Sequence, residues 1–307
     1  MQDENNPLLC DLESGVCEIP IKSDSSVDAI SSKLAKKPVK ITYFTDPICS
    51  SCWGIEPQLR TLKLDYGHLF EIEYRMGGLL PDWSYNSGGI SKPSDVAHHW
   101  DEVSVRYDMP IDGDVWLEDP LPSSYPPSIA FKAAQLQDEA KAILFLRTLR
   151  EMVFLQKKNI TKWEHLEAAA RTVGLQPSAL ERDYHGKAKE RFEEDLQTAQ
   201  QYAVRGFPTL FFTNQTNQLE RVYGTKAYSV YVDALVRVYP SAEKTDYDKS
   251  WIALFTHYSS LTAREFSELS GIAREESESV LDNLTASGEL EKFITKNGSL
   301  WRLKREL

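Results

Sequence analysis

Two cysteines, Cys49 and Cys52, stand with two serines between them in the string Asp46-Pro47-Ile48-Cys49-Ser50-Ser51-Cys52-Trp53. On a helix this spacing is one turn, so the two sulfurs can close a disulfide and open it again. The same pair could instead be half of a zinc site. The flanking residues favour the redox reading. Ile41 to Thr45 is a β-branched and aromatic run that predicts a buried strand, ended by Asp46 and Pro47. On the other side of the pair, Ile55, Leu59, Leu62 and Tyr66 recur at helical spacing. Cys49 then falls at a helix N-terminus, where unpaired N–H groups and the helix dipole favour a thiolate. Such a position can bring a thiol pKa from about 8.5 to about 3.5. Cys49 is therefore expected to attack and Cys52, one turn further in, to resolve. Trp53 and Glu56 flank the pair, and a buried Glu56 could relay a proton.

A second pair, Cys10 and Cys17, lies in a polar, interrupted lead-in over residues 1–38. Six residues separate them, with Gly15 for a turn, which suits a small disulfide loop better than a zinc knuckle. Three readings stay open: auxiliary thiols exchanging with Cys49 and Cys52, a four-cysteine zinc site, or tail cysteines with no shared chemistry. His98 and His99 are adjacent and so face different sides of a helix, which speaks against a shared metal. No metal and no cofactor beyond a redox-active Cys49–Cys52 disulfide is expected.

The chain has 307 residues, 41% hydrophobic and 26% charged, with a formal net charge of −11. That is enough chain for two domains. The charge opposes bulk attraction to nucleic acid or anionic membranes. No apolar run approaches the ~18 residues of a membrane span. The first residues are acidic and polar, without the features of a secretory signal, so a cytoplasmic protein is expected.

Phe70 to Met76 alternates as a second strand, broken by Gly77 and Gly78. Residues 81–127 read as loop around a short helix near 93–107. A helical block comes next over Ser128–Gln137 and Glu139–Lys157, with Ile143, Leu146, Leu149 and Val153 in step. Thr161/Glu164 and Ser178/Glu181 match the capping-box pattern, and a charged helix is expected from about 185 to 204. Gly206-Phe207-Pro208-Thr209 enters an apolar strand through a tight turn, a place where a cis X-Pro bond fits. Leu219–Tyr223 pairs as its neighbour, and Tyr228–Val238 is an amphipathic helix.

In this order the parts resemble the thioredoxin fold, over roughly residues 38–240. With a mostly helical insertion at about 91–203, they resemble its DsbA-like branch, including cytoplasmic FrnE-type members. The resemblance implies that Cys49 attacks, Cys52 resolves and Pro208 is the cis-proline facing the disulfide. It also puts Phe207 and Thr209, with Trp53, beside a protein or peptide substrate. It implies a thiol–disulfide oxidoreductase acting on protein thiols and disulfides. The Asp-Pro-x-Cys-x-x-Cys-Trp string is similar as well to the YjbH-type adaptors, DsbA-like proteins that present the regulator Spx to a cytoplasmic protease. That is the alternative, a binding module without obligatory turnover. Ser50-Ser51 between the cysteines departs from both the Pro-His of strong oxidants and the Gly-Pro of thioredoxin, so the redox poise is not legible.

Residues 246–307 read as a separate unit after a Pro-Ser-Ala-Glu-Lys-Thr linker. Helices are expected around Trp251–Phe255, after a Thr262/Glu265 cap, and over Glu275–Ala286. Two strands then flank the hairpin signal Asn297-Gly298. Three helices and a two-stranded wing resemble a winged helix-turn-helix domain, a small α+β unit. Its charge opposes DNA binding: eight Lys and Arg face eleven Asp and Glu between Asp246 and Leu307. Glu275, Glu276, Glu278 and Asp282 would meet phosphates on the helix meant to enter a groove. A protein partner is the expected ligand of this end, and DNA is not.

Overall fold

In this computed structural model the described residues are 37–84 and 92–304, with the backbone of 10–11 and 16–18. Two short strands, β1 (Cys10–Asp11) and β2 (Val16–Glu18), come first. The β-branched run forms β3 (Val39–Thr45), and α1 (Ser50–Gly54) and α2 (Glu56–Tyr66) carry the crossover to β4 (Phe70–Met76). The single helix expected after Cys49 is interrupted at Ile55 (φ −95°, ψ 1°). Pro57 supplies the reason, since it has no N–H to bond the carbonyl four residues back.

The insertion is helical: α3 (Pro93–Tyr107), α4 (Val115–Glu118), α5 (Tyr125–Gln137), α6 (Glu139–Leu155), α7 (Trp163–Thr172), α8 (Pro177–His185) and α9 (Lys187–Gln201). Both capping boxes expected here fail. Lys162 and Gln176 occupy the cap positions, and the Asn159 side chain takes the Thr161 N–H and hydroxyl instead. Asn competes well for such local bonds. Tyr125 to Ser128 proves to be the first turn of α5, where proline is tolerated because N–H groups there have no helical partner.

The chain then returns to the sheet through β5 (Gly206–Phe207), β6 (Thr209–Asn214) and β7 (Leu219–Tyr223), and closes with α10 (Tyr228–Val238). The sheet order is β4-β3-β6-β7. β3 is central, parallel to β4 (Val39 opposite Phe70) and antiparallel to β6 (Phe44 opposite Thr209). Being flanked on both edges and both faces, it is almost wholly buried, as its apolar composition requires. This is a thioredoxin-like fold with a large helical insertion. Asp195 of α9 fastens the insertion to the sheet: it accepts from the Met76 N–H at 2.9 Å and pairs with Arg75 and Lys132 at 2.9 and 2.8 Å.

Beyond residue 246 come α11 (Trp251–His257), β8 (Ser260–Thr262), α12 (Ala263–Ser270), α13 (Arg274–Ala286), β9 (Leu290–Thr295) and β10 (Gly298–Leu303). The capping box read from Thr262 and Glu265 is present in full. The small C-terminal sheet has three strands, in the order β8-β10-β9, where two were expected. Ser260-Leu261-Thr262 is too short to register as a strand by pattern, yet it pairs with β10, Leu261 opposite Trp301. Leu254, Phe266, Leu281 and Trp301 centre a hydrophobic cluster apart from the one around the main sheet.

Two side chains report on this packing. A Cβ on Gly77 would lie 1.7 Å from the Phe207 ring, so only glycine lets the end of β4 close on β5. Gly77→Ala should cost about 1–3 kcal/mol in urea unfolding. His98 is exposed and pairs with Glu102, whereas His99 is buried, so the two do face different ways. Burial first, and His98 next, push the His99 imidazole down to about 4. The folded chain thus binds fewer protons than the unfolded chain between pH 6.5 and about 4. Stability from this group is present at neutral pH and is lost as the pH falls through that window. His99→Gln should remove a loss on the order of 3 kcal/mol, read as the change in parent-minus-variant stability from neutral pH to about pH 4.

Candidate functional site

The end of β3 is shaped by Asp46. Its Oδ1 accepts the Ile48 N–H at 3.0 Å, and its Oδ2 accepts the Leu79 N–H and the Ser124 hydroxyl, each at 2.8 Å. Burial nonetheless pushes this carboxyl up to about 6, against the pull of those bonds and of Arg150. The turn delivers Cys49 to the N-cap of α1, where its Sγ accepts the Cys52 N–H at 3.1 Å. To that extent the N-terminal placement read from the spacing is the one observed.

Both thiols are reduced and fully buried. Burial pushes the Cys49 thiol well up, and its position beside Cys52 adds to this, outweighing the Cys52 N–H and Arg150. Burial also acts on Cys52, but there the Cys49 thiol donating to it, the Arg150 guanidinium and the nearby Thr45 hydroxyl bring the thiol below its ordinary value. Of the two thiols, Cys52 is thus the one whose ionisation is favoured. A helix N-terminus lowers a thiol pKa only where its pull exceeds the cost of lost solvation, and at Cys49 burial outweighs the Cys52 N–H.

Arg150 of α6 is the group that the sequence pattern did not single out. Its guanidinium is buried and donates to Glu56 Oε1 at 2.5 Å and to Thr45 Oγ1 at 2.6 Å. Its Nε has no hydrogen-bond partner among the described residues. The signal was available: Arg150 lies four residues after Leu146 and three before Val153, on the apolar side of the helix. A charge in an apolar stripe is a group with a buried partner.

The remaining expected site residues sit deeper than a substrate surface requires. Trp53, expected beside a substrate, is fully buried, donating from Nε1 to the Pro110 carbonyl at 3.1 Å and stacking on Phe154. Its large apolar ring is worth more in the core than at the surface. Glu56 does not suit a proton relay. Burial raises its pKa, but Arg150, Arg60 and Arg147 more than offset this and hold it below the usual carboxylate range, so it carries no proton near neutrality. The Phe207–Pro208 bond is cis. Phe207 and Thr209 are buried, Thr209 donating to the Gly206 carbonyl at 2.7 Å, so only their backbone lies along the site's edge. That edge is paired: β2 runs antiparallel to β5, with Cys17 opposite Phe207, and β1 sets Cys10 opposite Cys17. The side chains of Cys10 and Cys17 lie outside the described residues, as does most of the 1–38 lead-in.

Comparison with known proteins is consistent with this geometry. The family model described as Thioredoxin matches residues 43–233. A protein of the disulfide-isomerase type from Nitrosomonas europaea has the same fold over 67% of this chain and 97% of its own (TM-score 0.56, 19% identity). The cytosolic disulfide reductase DsbM of Pseudomonas aeruginosa does so over 64% and 98% (TM-score 0.50, 18% identity). At such identity these likenesses speak for the fold alone. The chain is a thioredoxin-family protein of DsbA-like build.

Along nearly its whole length it is also similar to the ClpXP adapter protein SpxH of Halalkalibacterium halodurans: 34% identical, over 98% of this chain and 99% of the relative. The SpxH of Shouchella clausii is 33% identical over 95% and 96%, and that of Bacillus subtilis 29% over 87% and 90%. The chain belongs to the SpxH family of ClpXP adapter proteins. This corrects the enzyme expected from the Cys-x-x-Cys motif, since these relatives are named as adapters and not as oxidoreductases.

Arg150→Met should move the lower of the two thiol titrations upward, followed as thiolate absorbance near 240 nm in a chain with Cys10 and Cys17 changed to Ser. An unmoved titration would mean that Arg150 does not hold the charge of the pair.

Proposed function

We propose that this chain is a cytoplasmic adaptor that binds a protein and hands it to the ClpXP protease. Spx is the substrate implied by the likeness to YjbH-type adaptors. The observation that carries this reading is full-length similarity to SpxH adapters joined to a Cys-x-x-Cys pair with no exposed sulfur. Thiol–disulfide exchange needs an accessible thiolate, and here both sulfurs are covered. Residues 39–240 form the DsbA-like unit in this proposal, and residues 246–307 a winged-helix-like unit for protein contact. DNA is a poor ligand for that unit. Glu275, Glu276 and Glu278 are exposed on α13, and Arg274 at its start is tied to Asp108, the residue that caps the C-terminus of α3, at 2.6 and 2.9 Å. Among the described residues no helix is long and apolar enough to cross a membrane.

The test is degradation of Spx by purified ClpXP with and without the chain. Added chain should speed loss of Spx, and Cys49→Ser/Cys52→Ser should retain most of that effect while both proteins fail to reduce insulin disulfides at a rate above buffer. A folded double mutant without stimulation would return the thiols to the centre of the function.

A further inference from the structure

The cover over the cysteines is made of parts held with very different strength. Thr209 stands opposite Phe44 near the end of β3, so by the same register Phe207 falls level with Asp46 and the turn to Cys49. Its ring fills the space that a side chain on Gly77 would need. At α1, the Tyr107 ring of α3 lies against Gly54, and its hydroxyl is bonded to the Ser51 hydroxyl at 2.8 Å. Phe207 and Tyr107 both belong to the continuous core around the main sheet. They are fixed parts of the cover.

The third part is β2. It runs antiparallel along β5, with Cys17 opposite Phe207 and Glu18 opposite Gly206, and it also lies against α1. β1 adds a further strand, so β1, β2 and β5 make a narrow sheet of their own beside the β4-β3-β6-β7 sheet. β2 thereby widens, on the side of α1, the cover that Phe207 begins. Its hold is slight. Two residue pairs on an edge exchange about two hydrogen bonds, each of small net worth in water, and a lone hairpin is marginal. From Cys10 to Glu18 the sequence offers only Leu12 and Val16 as aliphatic side chains to bury. An element held by so little opens locally while the core around it stays closed.

We propose that the β1–β2 ribbon is a releasable cover: paired along β5 it shuts the cysteine turn from solvent, and its detachment opens the edge of β5 and the Cys49 sulfur without disturbing the main sheet. The lead-in is thus an internal occupant of that edge. The cover does not rest on the adaptor reading, since it decides when the thiols are reachable and not what the chain delivers.

Alkylation of the full-length chain tests it. The parent carries Cys10→Ser/Cys17→Ser, which leaves Cys49 and Cys52 as its thiols. The variant carries Cys10→Ser/Cys17→Pro/Glu18→Pro, which removes the N–H groups of both β2 residues that face β5. Each is treated with iodoacetamide, the Cys49 sulfur displacing iodide, and the modified residue is located by fragment mass. Amide hydrogen exchange is followed on the same proteins. The variant should be alkylated at Cys49 about tenfold faster, the factor expected when one or two backbone hydrogen bonds are lost. Exchange over residues 204–210 should quicken with it, while exchange over β3 should not change. Equal alkylation rates would mean that Phe207 and Tyr107 close the site unaided, and would overturn the proposal. Faster alkylation without faster exchange at 204–210 would overturn it as well, because the route to the sulfur would lie elsewhere. So would faster alkylation joined to faster exchange across β3, because the whole fold would have loosened.

Discussion

A guanidinium that cannot reach water is the constraint around which this molecule is arranged. Burying one charge without a partner costs several kcal/mol even after relaxation, so Arg150 requires Glu56 and Thr45 in place. Glu56 in turn shares Arg60, which needs the Ser260 carbonyl and Glu265. The crossover helix, the insertion and the C-terminal unit are thereby tied by a set of groups none of which is satisfied alone. Replacing such a network with apolar side chains can leave stability unchanged; what the charges add is a requirement that these particular parts meet in one geometry.

This arrangement explains how a fold known for thiol exchange can serve an adaptor. The strand-turn-helix that carries the cysteines is intact, and so is the cis-proline turn. Access to the sulfurs is closed. Trp53 is stacked inward, Phe207 fills the space above Gly77, and β2 is paired along β5. Such a frame offers a rigid body in which both sulfurs are covered.

The fold was legible because its elements are strongly patterned. β3, β4, β7 and α10 could be read from alternation and helical spacing nearly to the residue, and the Gly-Phe-Pro-Thr turn from proline chemistry. The errors share a cause. Thr161 and Ser178 match a capping pattern, but Asn159 and the local chain path took the caps elsewhere. β8 exists only because β10 lies beside it. The site was legible in its cysteines and opaque in its environment. Position relative to a helix suggests a low thiol pKa at Cys49, whereas burial, which the motif does not reveal, pushes that thiol up. Only Arg150 itself, set among leucines and valines, gave a local hint. Function turned on a distinction that the motif does not carry, because an enzyme and an adaptor of this fold share the same cysteine string.

Strand β4 closes one side of the main sheet, and the side chains along it are guarded. Glu73 is paired with both Lys40 and Arg75, and Arg75 again with Asp195. A foreign strand arriving there would have to part these ions before its backbone could bond, which is the device by which sheet edges resist accretion. The charged border thus leaves this side of the sheet closed to growth, whatever the molecule binds elsewhere.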